Sequence, residues 1–118
     1  MEQFDRARFD HIGLVTDEPK PGEVFVEEAG VWATSPRAHP FNVHWLRFAP
    51  DSPAPEPFRT QAHVAYRVDD LEAALESHEL VMGPEDIGGG FAKVAFVMVD
   101  GVLVEFMQYA NPDETGWF

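Results

Sequence analysis

The sequence predicts an α+β domain of two related, strand-rich modules sharing one curved, mostly antiparallel sheet. Three observations predict it. Two strand-like runs, Phe9 to Thr16 (FDHIGLVT) and Gln61 to Val68 (QAHVAYRV), each carry an early histidine, His11 and His63. The stretch Pro50 to Pro57, with four prolines in eight residues, separates the halves as an extended linker. Asp100-Gly101 sits between two apolar runs, which is the strongest short-range hairpin signal. A repeated unit too small to close its own core would pair with its copy.

In chain order, module one covers about residues 9 to 49. Its strands are Phe9 to Thr16, Glu23 to Glu28, Gly30 to Thr34 and Phe41 to Ala49. Thr16 to Gly22 (TDEPKPG) ends the first of them, and two prolines beside a glycine leave no room for a helix there. Ser35 to Pro40 is a turn. Module two covers about residues 61 to 109 and opens with a strand-to-helix unit. At Asp69 the alternating pattern gives way to Asp69 and Glu72 in capping-box spacing, and Leu71, Ala74 and Leu75 recur at helical spacing. A short strand near Val81 follows, then the flexible Gly88-Gly89-Gly90, then the hairpin Phe91 to Val99 and Val102 to Tyr109. The tail from Ala110 ends in Trp117 and Phe118, aromatics expected to dock on an apolar surface such as a second subunit's.

At 118 residues the chain is one domain, and 45% apolar with 13% aromatic content argues for a packed core. The net charge of −13 would repel nucleic acid and anionic membranes, so neither is expected as a partner. The absence of cysteine removes disulfides, thiolate nucleophiles and cysteine metal sites. No apolar run is long enough to span a bilayer, and MEQFDRARFD is too polar for a signal peptide. A cytoplasmic protein is the expectation.

Four possible metal donors stand at matching places in the modules. His11 and His63 open the first strand of each, and His44 and Glu105 lie in the last. Thirty-three residues separate His11 from His44, and 42 separate His63 from Glu105. Pseudo-symmetric packing would bring all four to one concave face, where imidazole and carboxylate donors suit zinc, iron, nickel, cobalt or manganese. A strand histidine also occurs as a half-buried residue bonded to backbone. Glu105, inside Val102-Leu103-Val104-Glu105-Phe106-Met107, would be costly to bury unless paired or metal-bound, or would point to water from a wet face. Arg67 falls in phase with His63, either facing the cup to hold a substrate carboxylate or serving as an exposed ion-pair partner. Trp32, Trp45, Phe48 and Phe96 are candidates for an apolar pocket lining or for plain core.

Asp10 to Val15 (DHIGLV), His63 to Ala74 (HVAYRVDDLEAA) and Val102 to Phe106 (VLVEF) together resemble the vicinal oxygen chelate superfamily. That group includes glyoxalase I, extradiol dioxygenases, bleomycin- and fosfomycin-resistance proteins and methylmalonyl-CoA epimerase. The resemblance implies paired βαβββ modules forming a cup around a divalent metal, here with the first-module helix reduced or absent. It implies ligands at His11, His44, His63 and Glu105, and a small substrate bound through two adjacent oxygens. Glu105 would be the general base and Arg67 a substrate contact. Lyase or isomerase chemistry of the glyoxalase type is the leading expectation, although His44 stands where glyoxalase I has a glutamate. An extradiol-type dioxygenase using His11, His63 and Glu105, or a non-catalytic binding protein of the same fold, are the alternatives. The short first module and the aromatic tail point toward a homodimer.

Overall fold

The computed structural model describes residues 8–113 and 117. Its strands are β1 (Phe9–Val15), β2 (Val24–Val26), β3 (Val31–Ala33), β4 (Val43–Phe48), β5 (His63–Arg67), β6 (Glu79–Ile87), β7 (Ala92–Val99) and β8 (Val102–Tyr109). Two short helices, α1 (Glu56–Thr60) and α2 (Leu71–Leu75), and a 3₁₀ turn at Pro36–Ala38 complete the set. All eight strands belong to one sheet in the order β2-β3-β4-β1-β5-β8-β7-β6, curled into a half-barrel. The modules join where β1 runs antiparallel to β5. Within each module the first and last strands are parallel neighbours, β1 with β4 and β5 with β8, while every other pairing is antiparallel. The α+β cup expected from the sequence is therefore the fold of the chain.

The two outer faces are covered differently. In module two, α2 lays Leu71 against Ala95, Val97, Val104 and Phe106. In module one no helix lies between β1 and β2 among the described residues, and the proline-rich turn accounts for that. Long cationic side chains cover the face instead: Arg47 sits 4.1 Å above the Trp32 ring and Lys20 4.4 Å above Trp45.

Three local expectations need correction. The proline-rich linker is not extended throughout, because its end folds into α1. Pro57 lies in the first turn, where no backbone N–H bond is needed, and Phe58 is buried with Val31, Leu46 and Phe96. The cap of α2 is Asp70, whose carboxylate accepts from Ala73 N at 3.2 Å. Asp69, one residue earlier, pairs with Arg8 at 2.7 Å. The short strand near Val81 is nine residues long; Pro84 and three acidic residues hide it in the sequence, and an edge position tolerates all of them. No helix among the described residues is long and apolar enough to cross a membrane.

Candidate metal centre

The four donors stand on the four central strands, β4-β1-β5-β8, and the register brings them together in two rows. In one row His44 lies beside Gly13, and Gly13 beside His63. In the next, His11 lies beside Ala65, and Ala65 beside Glu105. Each donor thus neighbours a residue with little or no side chain, which gives a bulky ring room over the sheet. The two modules repeat the same offset. The residue two beyond the first-strand histidine pairs with the last-strand donor, Gly13 with His44 and Ala65 with Glu105. Side chains two apart on a strand share a face, so all four point into the cup.

Gly13 is required by this packing. A β-carbon there would stand 2.0 Å from His63 Cε1 and 2.5 Å from both ring nitrogens. Gly13→Ala should therefore push the His63 ring aside and weaken metal binding at least about tenfold, comparable to losing a partner that orients a ligand. Calorimetric zinc titration of the variant checks this; unchanged affinity would mean that the ring is free to move away.

All four side chains are buried, His11 and His63 at 0% and 1% exposure. His11 donates from Nδ1 to Asp10 Oδ2 at 2.7 Å and His44 donates from Nδ1 to the Thr34 carbonyl at 2.7 Å. Those bonds leave the Nε2 lone pair of each ring facing inward, the tautomer a metal needs. His11 Nε2 and His63 Nε2 lie 3.2 and 3.3 Å from Glu105 Oε1, and neither makes an aligned hydrogen bond. Nδ1 of His63 also has none. Buried nitrogens without partners are costly unless something binds them.

The protonation states of His44, His63 and Glu105 agree with ligand duty, while that of His11 runs against it in the absence of a metal. Burial, with His11 and His63 beside it, pushes His44 down to about 3, so the ring is neutral at physiological pH. Burial also lowers His63. Burial would raise Glu105, but His11 and His63 outweigh it and hold the carboxyl at about 2. His11 is raised, because its bonds to Asp10 and Glu105 overcome burial. One ring nitrogen from each of His11, His44 and His63 lies within 4.8 Å of the others, so the three could hold a metal ion, with the Glu105 carboxylate in contact with two of them.

These shifts set the acid stability of the metal-free protein. The unfolded chain protonates His44 near 6.5 and the folded chain only near 3, so between those values the unfolded state binds more protons and stability is lost as the pH is lowered. Glu105 adds a loss from 4.5 to about 2. His11, being raised, works the other way. Melting curves in chelator should show Tm dropping below pH 6.5 in the wild type and a shallower drop in His44→Phe. Equal slopes would show that His44 does not stay neutral when folded.

Behind His11 lies a polar cluster that the sequence did not reveal. The Asp10 carboxylate, 2% exposed, accepts from Arg37 at 2.7 Å, Tyr109 at 2.9 Å and Arg67 at 3.0 Å in addition to His11. Strict alternation would turn Asp10 away from His11. The register slips between Phe9 and His11, and this bulge swings Asp10 to the ring. His11 and Arg37 hold the acid well below the usual carboxylate range despite its burial. Arg67 is in phase with His63, and its guanidinium is engaged within the chain. It contacts Asp10, stacks 3.9 Å over Tyr109 and donates to the Pro112 carbonyl, and it does not line the cavity.

The cavity holds about 490 Å³, with His44, His63 and Glu105 in its wall. Phe96 lines it, while Trp32, Trp45 and Phe48 do not. Trp117 also lines it, with its ring 5.0 Å from that of His11 and 5.1 Å from that of His44. The tail tryptophan thus docks within its own chain; Phe118 lies outside the described residues.

No protein-family model matches the chain, and no curated protein matches it. Solved structures do, two of them as follows. One is a hypothetical protein from Bacillus halodurans C-125, 18% identical, with a TM-score of 0.57, covering 90% of this chain and 96% of that one. The other is methylmalonyl-CoA epimerase from Mycobacterium tuberculosis, 16% identical, with a TM-score of 0.59, covering 89% of each. Identities this low speak for the fold alone. The two-module half-barrel of this chain is the fold that it shares with these two structures.

Proposed function

We propose that the protein is a divalent-metal-dependent enzyme that acts on a small oxygenated substrate by lyase or isomerase chemistry. His11, His44, His63 and Glu105 would hold the ion. The observation that carries this is the cluster of three buried imidazoles, with ring nitrogens of His11 and His63 that make no aligned hydrogen bond, beside a cavity of about 490 Å³ whose wall includes His44, His63 and Glu105. An ion held there would act as a Lewis acid toward two adjacent substrate oxygens.

The protein's own groups do the rest. Asp10 and the Thr34 carbonyl fix the His11 and His44 rings. Arg67 and Arg37 serve the site by holding Asp10 rather than by touching substrate. Glu105, ionised at neutral pH, is the proton acceptor beside the substrate carbon. Its contacts with His11 and His63 keep it a weak base, and lengthening them would raise its basicity.

The test has two steps. Protein purified without chelator or affinity histidines should contain about one transition-metal ion per chain, lost on dialysis against chelator and regained on titration. Loaded protein should then exchange the α-protons of 2-hydroxyacetophenone for deuterium, and Glu105→Gln should reduce that rate at least about a hundredfold. A protein that takes up no metal would be a binding protein, the second reading, which the apolar cavity favours. Iron with no proton exchange would favour the dioxygenase reading through His11, His63 and Glu105. His44, aimed at the same point, counts against that reading because it takes a fourth position.

A further inference from the structure

The wall of the cavity departs from what an anionic substrate requires. Among the described residues none of its lining side chains is Lys or Arg. The charged groups that do line it are both acidic, Glu105 at the histidine end and Glu85 on β6, an exposed residue. The remainder is mainly apolar, with Val31, Leu46, Phe58, Met82, Val94 and Phe96 contributing from both modules. The two arginines nearest the site, Arg37 and Arg67, are both committed to Asp10. The chain as a whole carries a net charge of −13, so its long-range field also repels anions.

A carboxylate or phosphate against this wall, away from the histidine end, would lose its water and gain no cationic side chain in return, which is strongly unfavourable. An apolar body would gain by leaving water, and the volume of about 490 Å³ suits one of ring size or somewhat larger. We infer that the substrate is an uncharged molecule with an apolar, ring-sized body and two adjacent oxygens at one end only. That the oxygens meet a metal rests on the function proposed above. That the body is apolar and carries no anion rests on the cavity wall alone.

The two parts can be tested separately by calorimetry at about pH 7. Metal-free protein is titrated with 1-naphthol and with 1-naphthoate, which share a ring system and differ in charge. The naphthol should bind at least about tenfold more tightly. Zinc-loaded protein is titrated with acetohydroxamate, benzohydroxamate and 4-carboxybenzohydroxamate, which present the same pair of oxygens. Benzohydroxamate should exceed acetohydroxamate by about tenfold or more, and the added carboxylate should cost at least the same factor. Naphthoate binding as well as naphthol, or 4-carboxybenzohydroxamate binding as well as benzohydroxamate, would overturn the inference. Preference for naphthol in a protein that takes up no zinc would uphold the apolar, uncharged body and remove the metal-bound oxygens, so the function proposed above would fail on its own.

Discussion

His63→Ala is expected to abolish measurable metal binding, with affinity falling more than about a hundredfold, while the strand content seen by circular dichroism stays intact. The ring makes no aligned hydrogen bond, and its loss leaves the buried Glu105 carboxylate with His11 as its neighbouring imidazole. It does leave a void between Phe58 and Phe96, whose rings lie 5.7 and 5.1 Å from it. Large-to-small changes of this kind cost about 2–4 kcal/mol. Relief from holding an imidazole dry offsets part of that cost. Losing a direct donor should exceed the 10- to 100-fold effect of losing a residue that only orients one, roughly speaking. Competition with a chromophoric chelator measures the affinity, and wild-type uptake by this variant would remove His63 from the site.

Asp10→Ala should produce the largest combined effect on stability and metal. One buried carboxylate accepts from His11 at 2.7 Å, Arg37 at 2.7 Å, Tyr109 at 2.9 Å and Arg67 at 3.0 Å. Removing it leaves a buried imidazole N–H without an acceptor and two guanidinium groups without their anion. Breaking a buried pair of this type costs about 3–5 kcal/mol, and the partial exposure of both arginines places this case toward the lower end. The freed His11 ring should also bind metal about 10- to 100-fold more weakly. Asp10→Asn, which keeps an acceptor of the same shape and loses the charge, should recover much of the stability and less of the affinity. Thermal melts and zinc titration of both variants separate these outcomes. Unchanged metal affinity in Asp10→Ala would show that the cluster only holds the chain together.

Period-2 alternation explains why so much of the site was legible in the residues. His11, His44, His63 and Glu105 were singled out as strand positions, and a β-strand fixes the side each one faces. The proline-rich turn after β1 removed a helix from module one, and Asp100-Gly101 placed the last hairpin, because those residues restrict φ and ψ locally. Arg67 lies in phase with His63, but its contact with Asp10 was not legible in the sequence. What it reaches depends on Asp10, a residue 57 positions earlier that arrives through a bulge. Pro57 and Pro84 misled in the same way. Proline rules out central strands and helix interiors, but a first helical turn and an edge strand accept it, and only the packing shows which applies.

The sequence by itself determined most of the strands, the duplication and the four candidate donors, since these follow from short-range periodicity and backbone restriction. The tertiary structure alone decided the register that places Gly13 between His44 and His63, and Ala65 between His11 and Glu105. It also decided the Asp10 cluster, the burial of Phe58 against Val31, Leu46 and Phe96, and the Trp117 ring beside the histidines. Each of these is a contact between residues far apart along the chain, and such contacts depend on how strands align and bulge when the sheet closes.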